Sequence, residues 1–218
     1  MNFKIPEFPS LQFGSIYCIG RNYAEHIKEM KSSQTASPVV FLKPRSSLIF
    51  NNGAITIPKD SENVHHEVEL VLLIGNECRN VSKDSANKAV LAIAVGIDLT
   101  ARDIQTEAKK KGLPWALAKG FDTFAPVGNF IAVDYSVDLQ NLEISLSVNG
   151  NLRQKGNTSN MIFPVTDIIS YLSHRFTLYP GDLIFTGTPE GVSRIKPGDK
   201  IQAQIGNHLS TLTVHVQA

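Results

Sequence analysis

The run His65-His66-Glu67-Val68-Glu69-Leu70-Val71-Leu72-Leu73-Ile74-Gly75 constrains this chain more than any other. Its second half is aliphatic and β-branched and is bounded by Gly75-Asn76, which predicts a buried strand rather than a helix. Alternate side chains of a strand share a face, so Glu67 and Glu69 stand side by side while Val68 and Leu70 point the other way into a core. Two carboxylates at the mouth of an apolar strand repel each other and lose hydration. They need a cation or a shared proton, unless the strand end frays and leaves both in water.

The rest of the chain has room for one substantial core, built as a single β-rich domain or as two small ones in 218 residues. With 21 basic against 20 acidic residues there is no electrostatic case for a nucleic-acid partner. The only basic run, Lys109-Lys110-Lys111, reads as a solvated helix end. Cys18 and Cys78 form no disulfide framework and read as buried free thiols of a reducing compartment. The N-terminus lacks an apolar signal core and the longest apolar run, residues 89–97, is too short to cross a bilayer. A cytoplasmic protein without a membrane partner is expected.

Along the chain, residues 16–19 form a short apolar strand that stops at Gly20, and a turn from Arg21 opens a short helix. On that helix His26 and Glu29 are three apart and share a face. Such a pair is either a surface ion pair or an imidazole held as a general base by its carboxylate. Residues 31–38 are polar and are either a linker or a lid. The strand at 39–42 delivers Lys43, and Asn52-Gly53 turns the chain into another strand at 54–57. A helix is expected at 83–89 with Ser82 as N-cap, then a strand at 91–97 ending in Asp98, and a helix capped by Thr100 with Asp103 three residues on, closed by Gly112 and Pro114. Asp98 is a third acid, either a cap or part of a site. Lys119, among small apolar residues, either snorkels to water or serves an anionic ligand.

The second half is plainly β. Residues 142–148 alternate with period two before the hairpin turn Asn149-Gly150. Pro164 is expected at the first position of a helix running to about residue 174, and two Pro-Gly-Asp turns, at 180–182 and 197–199, each introduce a strand. The loop from Thr186 to Gly191 is either an ordinary turn or one whose amides and Thr188 hydroxyl hold a carboxylate.

Taken in order, Gly20-Arg21-Asn22-Tyr23 with His26 and Glu29, Phe41-Leu42-Lys43-Pro44, His65-His66-Glu67-Val68-Glu69, Asp98-Leu99-Thr100-Ala101-Arg102-Asp103, Lys119-Gly120-Phe121-Asp122 and Thr186-Gly187-Thr188-Pro189 resemble the fumarylacetoacetate hydrolase family, in its short acylpyruvase-like branch. The resemblance spans nearly everything from Ile16 onward. It implies an α+β, β-rich fold, a mixed β-roll with short flanking helices, as one catalytic domain over residues 1–218 with 1–15 as a lead-in. It further implies a homodimer with one divalent metal per subunit, held by Glu67, Glu69 and Asp98. His26 and Glu29 would be the acid/base dyad, Lys119 would face the substrate, and Arg21, Lys43, Gln105 and Thr188 would line the pocket. Residues 31–38 would belong to a lid.

Three carboxylates are hard oxygen ligands, which suit magnesium or manganese rather than zinc. A 2-oxo acid chelated there would have its enolate stabilised. The leading expectation is a hydrolase that cleaves a carbon-carbon bond in small 2,4-dioxo acids, the acylpyruvates. Oxaloacetate decarboxylation or tautomerisation, and isomerisation or decarboxylation of 2-hydroxyhepta-2,4-diene-1,7-dioate, are the alternatives, with an idle metal-binding β protein as the non-enzymatic one. Glu190, beside the presumed carboxylate-holding loop, is expected to disfavour substrates with a second negative end.

Overall fold

Because the Val68–Ile74 strand is apolar on both sides, it can only sit inside a sheet covered on both faces. In the computed structural model, which describes residues 4–134 and 137–218, it is third in a mixed six-stranded sheet. The order is Ile131–Ala132, Val90–Ile97, Val68–Ile74, Leu183–Phe185, Ile16–Gly20 and Val39–Lys43; only the Leu183–Phe185 and Ile16–Gly20 pair runs parallel. Val68, Leu70, Leu72 and Ile74 enter the larger core, against Ile144, Leu146, Ile201 and Val214 of a five-stranded sheet. Val71 and Leu73 face a second core with Ile16, Cys18, Leu183 and Phe185. By this alternation Glu67 and Glu69 share the second face.

One junction positions everything that follows. Beyond Glu67 the chain leaves the six-stranded sheet and becomes Val64–His66, the middle strand of a small sheet between Thr100–Ala101 and Ser193–Arg194. Its neighbours cross the same line, one through Asp98-Leu99 and the other through the loop after Phe185. The Asp98 amide donates to the Glu67 carbonyl at 2.8 Å, which carries the pairing across the break.

Several local expectations shift for physical reasons. Thr100 does not cap a helix, because it is held extended opposite His65; Ala101 takes the cap position of the Arg102–Lys110 helix. Asp103 turns instead to the loop before the small sheet, accepting from the Ser61 hydroxyl at 2.6 Å and the Glu62 amide at 2.9 Å. Ser82 makes no cap bond and meets the Ser85 hydroxyl, and the helix after it is α only over Lys83–Ala86 before tightening to a 3₁₀ turn. Pro164 precedes its helix, Val165–Ser173, rather than starting it. Gly112 ends the Arg102–Lys110 helix as expected, at φ +65°, with the Leu113 amide on the Ala108 carbonyl. Asn149 and Gly150, both at positive φ, form the hairpin turn. Cys18 and Cys78 are buried free thiols. Among the described residues no helix is long and apolar enough to cross a membrane.

Candidate active site

At the junction between the two sheets, Glu67, Glu69 and Asp98 each offer an oxygen, all within 4.8 Å of one another, and none of the three is more than 5% exposed. Three buried negative charges at that spacing are untenable without compensation, and the neighbours supply it unevenly. Glu67 pairs with Lys119 at 2.8 Å and with Arg102. Asp98 pairs with Lys119 through Oδ2. Its Oδ1 lies 2.7 Å from the Lys43 ammonium, yet in a geometry that makes no hydrogen bond. Among the described residues Glu69 has no ion-pair partner; it accepts the Gly187 amide, at 2.7 Å.

The electrostatics follow that asymmetry. Burial alone would raise Glu67, but Lys119 and Arg102 overcome it and hold the carboxyl well below its ordinary range. Burial, then Asp98 and Glu67, push Glu69 well above its ordinary range. Lys119 is raised because Asp98 and Glu67 outweigh its desolvation. An under-coordinated Asp98 oxygen beside a carboxyl that cannot hold its charge unaided is a donor set that a hard divalent cation would complete. With oxygen donors only, magnesium and manganese fit better than zinc.

The triad lines a cavity at this junction. His26 enters it from the Ala24–Glu29 helix and Lys119 from the Ala116–Lys119 turn of helix. His26 is buried and donates through Nδ1 to Glu29 Oε2 at 3.3 Å, which leaves Nε2 as the basic nitrogen. Burial, only partly offset by Glu67 and Glu29, keeps the ring below 6.5. Glu29 is itself tied down, accepting the Gly191 amide at 3.1 Å. The short helix is thus latched to the Thr186–Gly191 loop.

Of the other expected pocket residues, Arg21, Gln105 and Thr188 line the cavity and Lys43 does not. Lys43 is 3% exposed and sits behind Asp98, donating to the backbone carbonyls of Leu99 and Lys119. Met30 and Ser32 also line the cavity, and Arg21 donates to the Ser33 carbonyl, so the polar stretch after Met30 is folded towards the site. Glu190 is exposed and outside the cavity. The loop before it holds a carboxylate, but the protein's own, Glu69, through Gly187. That glycine has φ +101° and would place a Cβ 2.6 Å from Asn22 Cβ, so no larger residue can present this amide without strain.

Two polar residues were not singled out in the sequence. Arg102 lies in the cavity wall, donating to Glu67 and to Gln105 Oε1 at 2.8 Å; its place four residues after Asp98, at the start of a helix, was the available signal. Gln154 is 1% exposed. Its Oε1 accepts from His66 Nδ1 at 2.8 Å and the Val68 amide at 3.0 Å, and its Nε2 donates to Thr188 Oγ1 at 2.9 Å and the Pro189 carbonyl. Nothing local marks it beyond an amide in a strand. Gln154→Leu strands several buried polar groups at once, so a loss of about 2–4 kcal/mol in unfolding free energy is expected by denaturant titration. A loss below about 0.5 kcal/mol would mean that water replaces the amide.

The family model described as fumarylacetoacetate (FAA) hydrolase C-terminal matches residues 15–217. An oxaloacetate tautomerase FAHD1, mitochondrial, of Arabidopsis thaliana is 50% identical over 190 residues, covering 87% of this chain and 85% of that protein. An oxaloacetate decarboxylase, mitochondrial, of Dictyostelium discoideum is 47% identical over 191 residues, covering 87% and 88%. Among solved structures, fumarylpyruvate hydrolase from Pseudomonas aeruginosa in complex with Mn²⁺ and pyruvate superposes with a TM-score of 0.90 at 35% identity, covering 94% of this chain and 90% of that one.

Proposed function

The chain belongs to the fumarylacetoacetate hydrolase family, and on that premise we propose that its cavity binds a small 2-oxo acid at a magnesium or manganese ion and moves a proton between its carbon and oxygen atoms, with oxaloacetate enol–keto exchange as the leading reaction. The observation that carries this reading is the convergence of three buried carboxylates, a neutral imidazole and a lysine on one cavity. Glu67, Glu69 and Asp98 hold the ion. When bound, the ion supplies a Lewis acid for the 2-oxo and carboxylate oxygens. The identity to an oxaloacetate tautomerase supports this substrate, in preference to the acylpyruvate hydrolysis that the motifs alone put first.

The protein's own groups divide the work. His26 Nε2 takes the proton from the carbon next to the 2-oxo group and returns it to the enolate oxygen, or the reverse from the enol, and Glu29 stabilises the imidazolium that forms in between. Lys119 adds positive charge where the oxygen gains negative charge. Arg21, Gln105 and Thr188 orient the substrate, and Lys43 fixes the Asp98 carboxylate from behind. Hydrolysis of acylpyruvates is the second reading. It uses the same dyad to activate water, and the fumarylpyruvate hydrolase likeness favours it.

The test is a side-by-side assay of manganese-loaded protein on enol-oxaloacetate and acetylpyruvate, with and without chelator. Oxaloacetate is expected to show the higher kcat/KM, and both activities should disappear when the metal is stripped. Turnover that survives stripping, or no turnover of either compound, would sink the reading.

A further inference from the structure

The cavity holds more positive charge than its three acids use. Lys119 and Arg102 are committed to Glu67 and Asp98. Arg21 and Lys109 also line the cavity, and among the described residues neither has an ion-pair partner. Arg21 donates once to a backbone carbonyl, while its Nε is buried with no partner, and its backbone is left-handed at φ 60°, an uncommon conformation for a side chain of this size. Strain and an unused donor in one residue suit a group kept for a ligand.

Lys109 is exposed at its helix end, as its sequence suggests, but it also lines the cavity. Lys110, its neighbour, is exposed too, but it pairs with Glu107 at 2.8 Å and lies away from the cavity. Lys109 instead has its ammonium over the Trp115 ring, 5.3 Å from the centroid, and that ring is also part of the cavity wall. Its strongest electrostatic neighbours are Arg102, Arg21 and Lys119, with Glu67 opposing them. Burial and the two guanidinium groups therefore push the ammonium below its ordinary pKa. Positive charge beyond what the resident acids pair with is relieved when a further anion arrives.

We propose that Lys109, together with Arg21, is the specificity-determining group that takes the second carboxylate of a 2-oxo dicarboxylic acid whose 2-oxo end lies at the carboxylate triad. This rests on the reading of the triad as the site that holds the 2-oxo end. A monoanionic 2-oxo acid leaves Lys109 and Arg21 without a partner; a dianion offers a second carboxylate for them to meet. The sign is opposite to the one expected from Glu190.

The experiment compares kcat/KM for oxaloacetate, a dianion, with that for acetylpyruvate, a monoanion, in manganese-loaded wild type, Lys109→Met, Lys109→Arg and Lys110→Met. The oxaloacetate-to-acetylpyruvate ratio should fall about tenfold in Lys109→Met, mainly through KM, as for the loss of one charge-assisted hydrogen bond. Lys109→Arg should restore most of the ratio and Lys110→Met should keep it. An equal loss on both substrates, or an unchanged ratio in Lys109→Met, overturns the proposal. If wild type turns over neither compound, the proposed function fails by itself. Calorimetric affinities for oxaloacetate and pyruvate then decide the Lys109 role: a selective loss for oxaloacetate supports it, and a parallel loss or none refutes it.

Discussion

Substitution of His26 by alanine is expected to lower kcat by about 10²–10⁴-fold, the usual weight of a positioned general base, while the affinity for manganese stays within the error of a titration. The two readouts separate because the imidazole lines the cavity but is not among the three clustered acids. The wild-type pH profile gives a second check. Burial depresses the ring below its ordinary pKa, so the unprotonated base predominates at neutral pH and is lost as pH falls through that lowered value. The acid limb of kcat/KM should therefore lie below pH 6.5 and vanish from the residual activity of His26→Ala. A variant with near wild-type turnover would remove the dyad from the mechanism.

Glu69→Gln should weaken manganese binding by at least about 10–100-fold, since even partners one layer outside a metal contribute that much. Glu69 is the sharpest of the three positions to test. Glu67→Gln would leave Arg102 and Lys119 facing a neutral amide inside the protein, and the fold itself would suffer. Among the described residues Glu69 has no ion-pair partner to abandon, and an amide oxygen can still accept the Gly187 N–H. Thermal unfolding of the metal-free variant should match or exceed that of the metal-free wild type, while the rise in Tm on adding manganese is largely lost. Undiminished manganese affinity would mean that Glu69 is not a ligand.

Much of this was legible in the residues because the decisive positions are tied to strand periodicity. An apolar run with acids at alternate positions fixes both the Val68–Ile74 strand and the shared face of Glu67 and Glu69, and the three-residue spacing of His26 and Glu29 fixes their contact once a helix forms there. What stayed hidden depends on contacts distant in sequence. Asp103 looked like part of a capping box because its competing partners, Ser61 and Glu62, lie about forty residues away. Lys43, read as a pocket residue, is drawn behind Asp98 by two backbone carbonyls from separate segments. Gln154 joins His66, Val68 and Thr188, and no window of sequence contains all four. Lys109 was hidden by its resemblance to Lys110 and Lys111; only Trp115 beneath it sets it apart.

The acids are anchored in hydrogen-bonded ladders sealed on both sides, whereas the base rides on six residues of helix moored at its far end where the Gly191 amide meets both oxygens of Glu29. Stiffness and mobility are thereby assigned to different parts of the reaction. Evolution can reshape the moored piece to try new chemistry on an unaltered anvil, and an inhibitor that wedges beneath it would silence proton transfer without ever touching the ion.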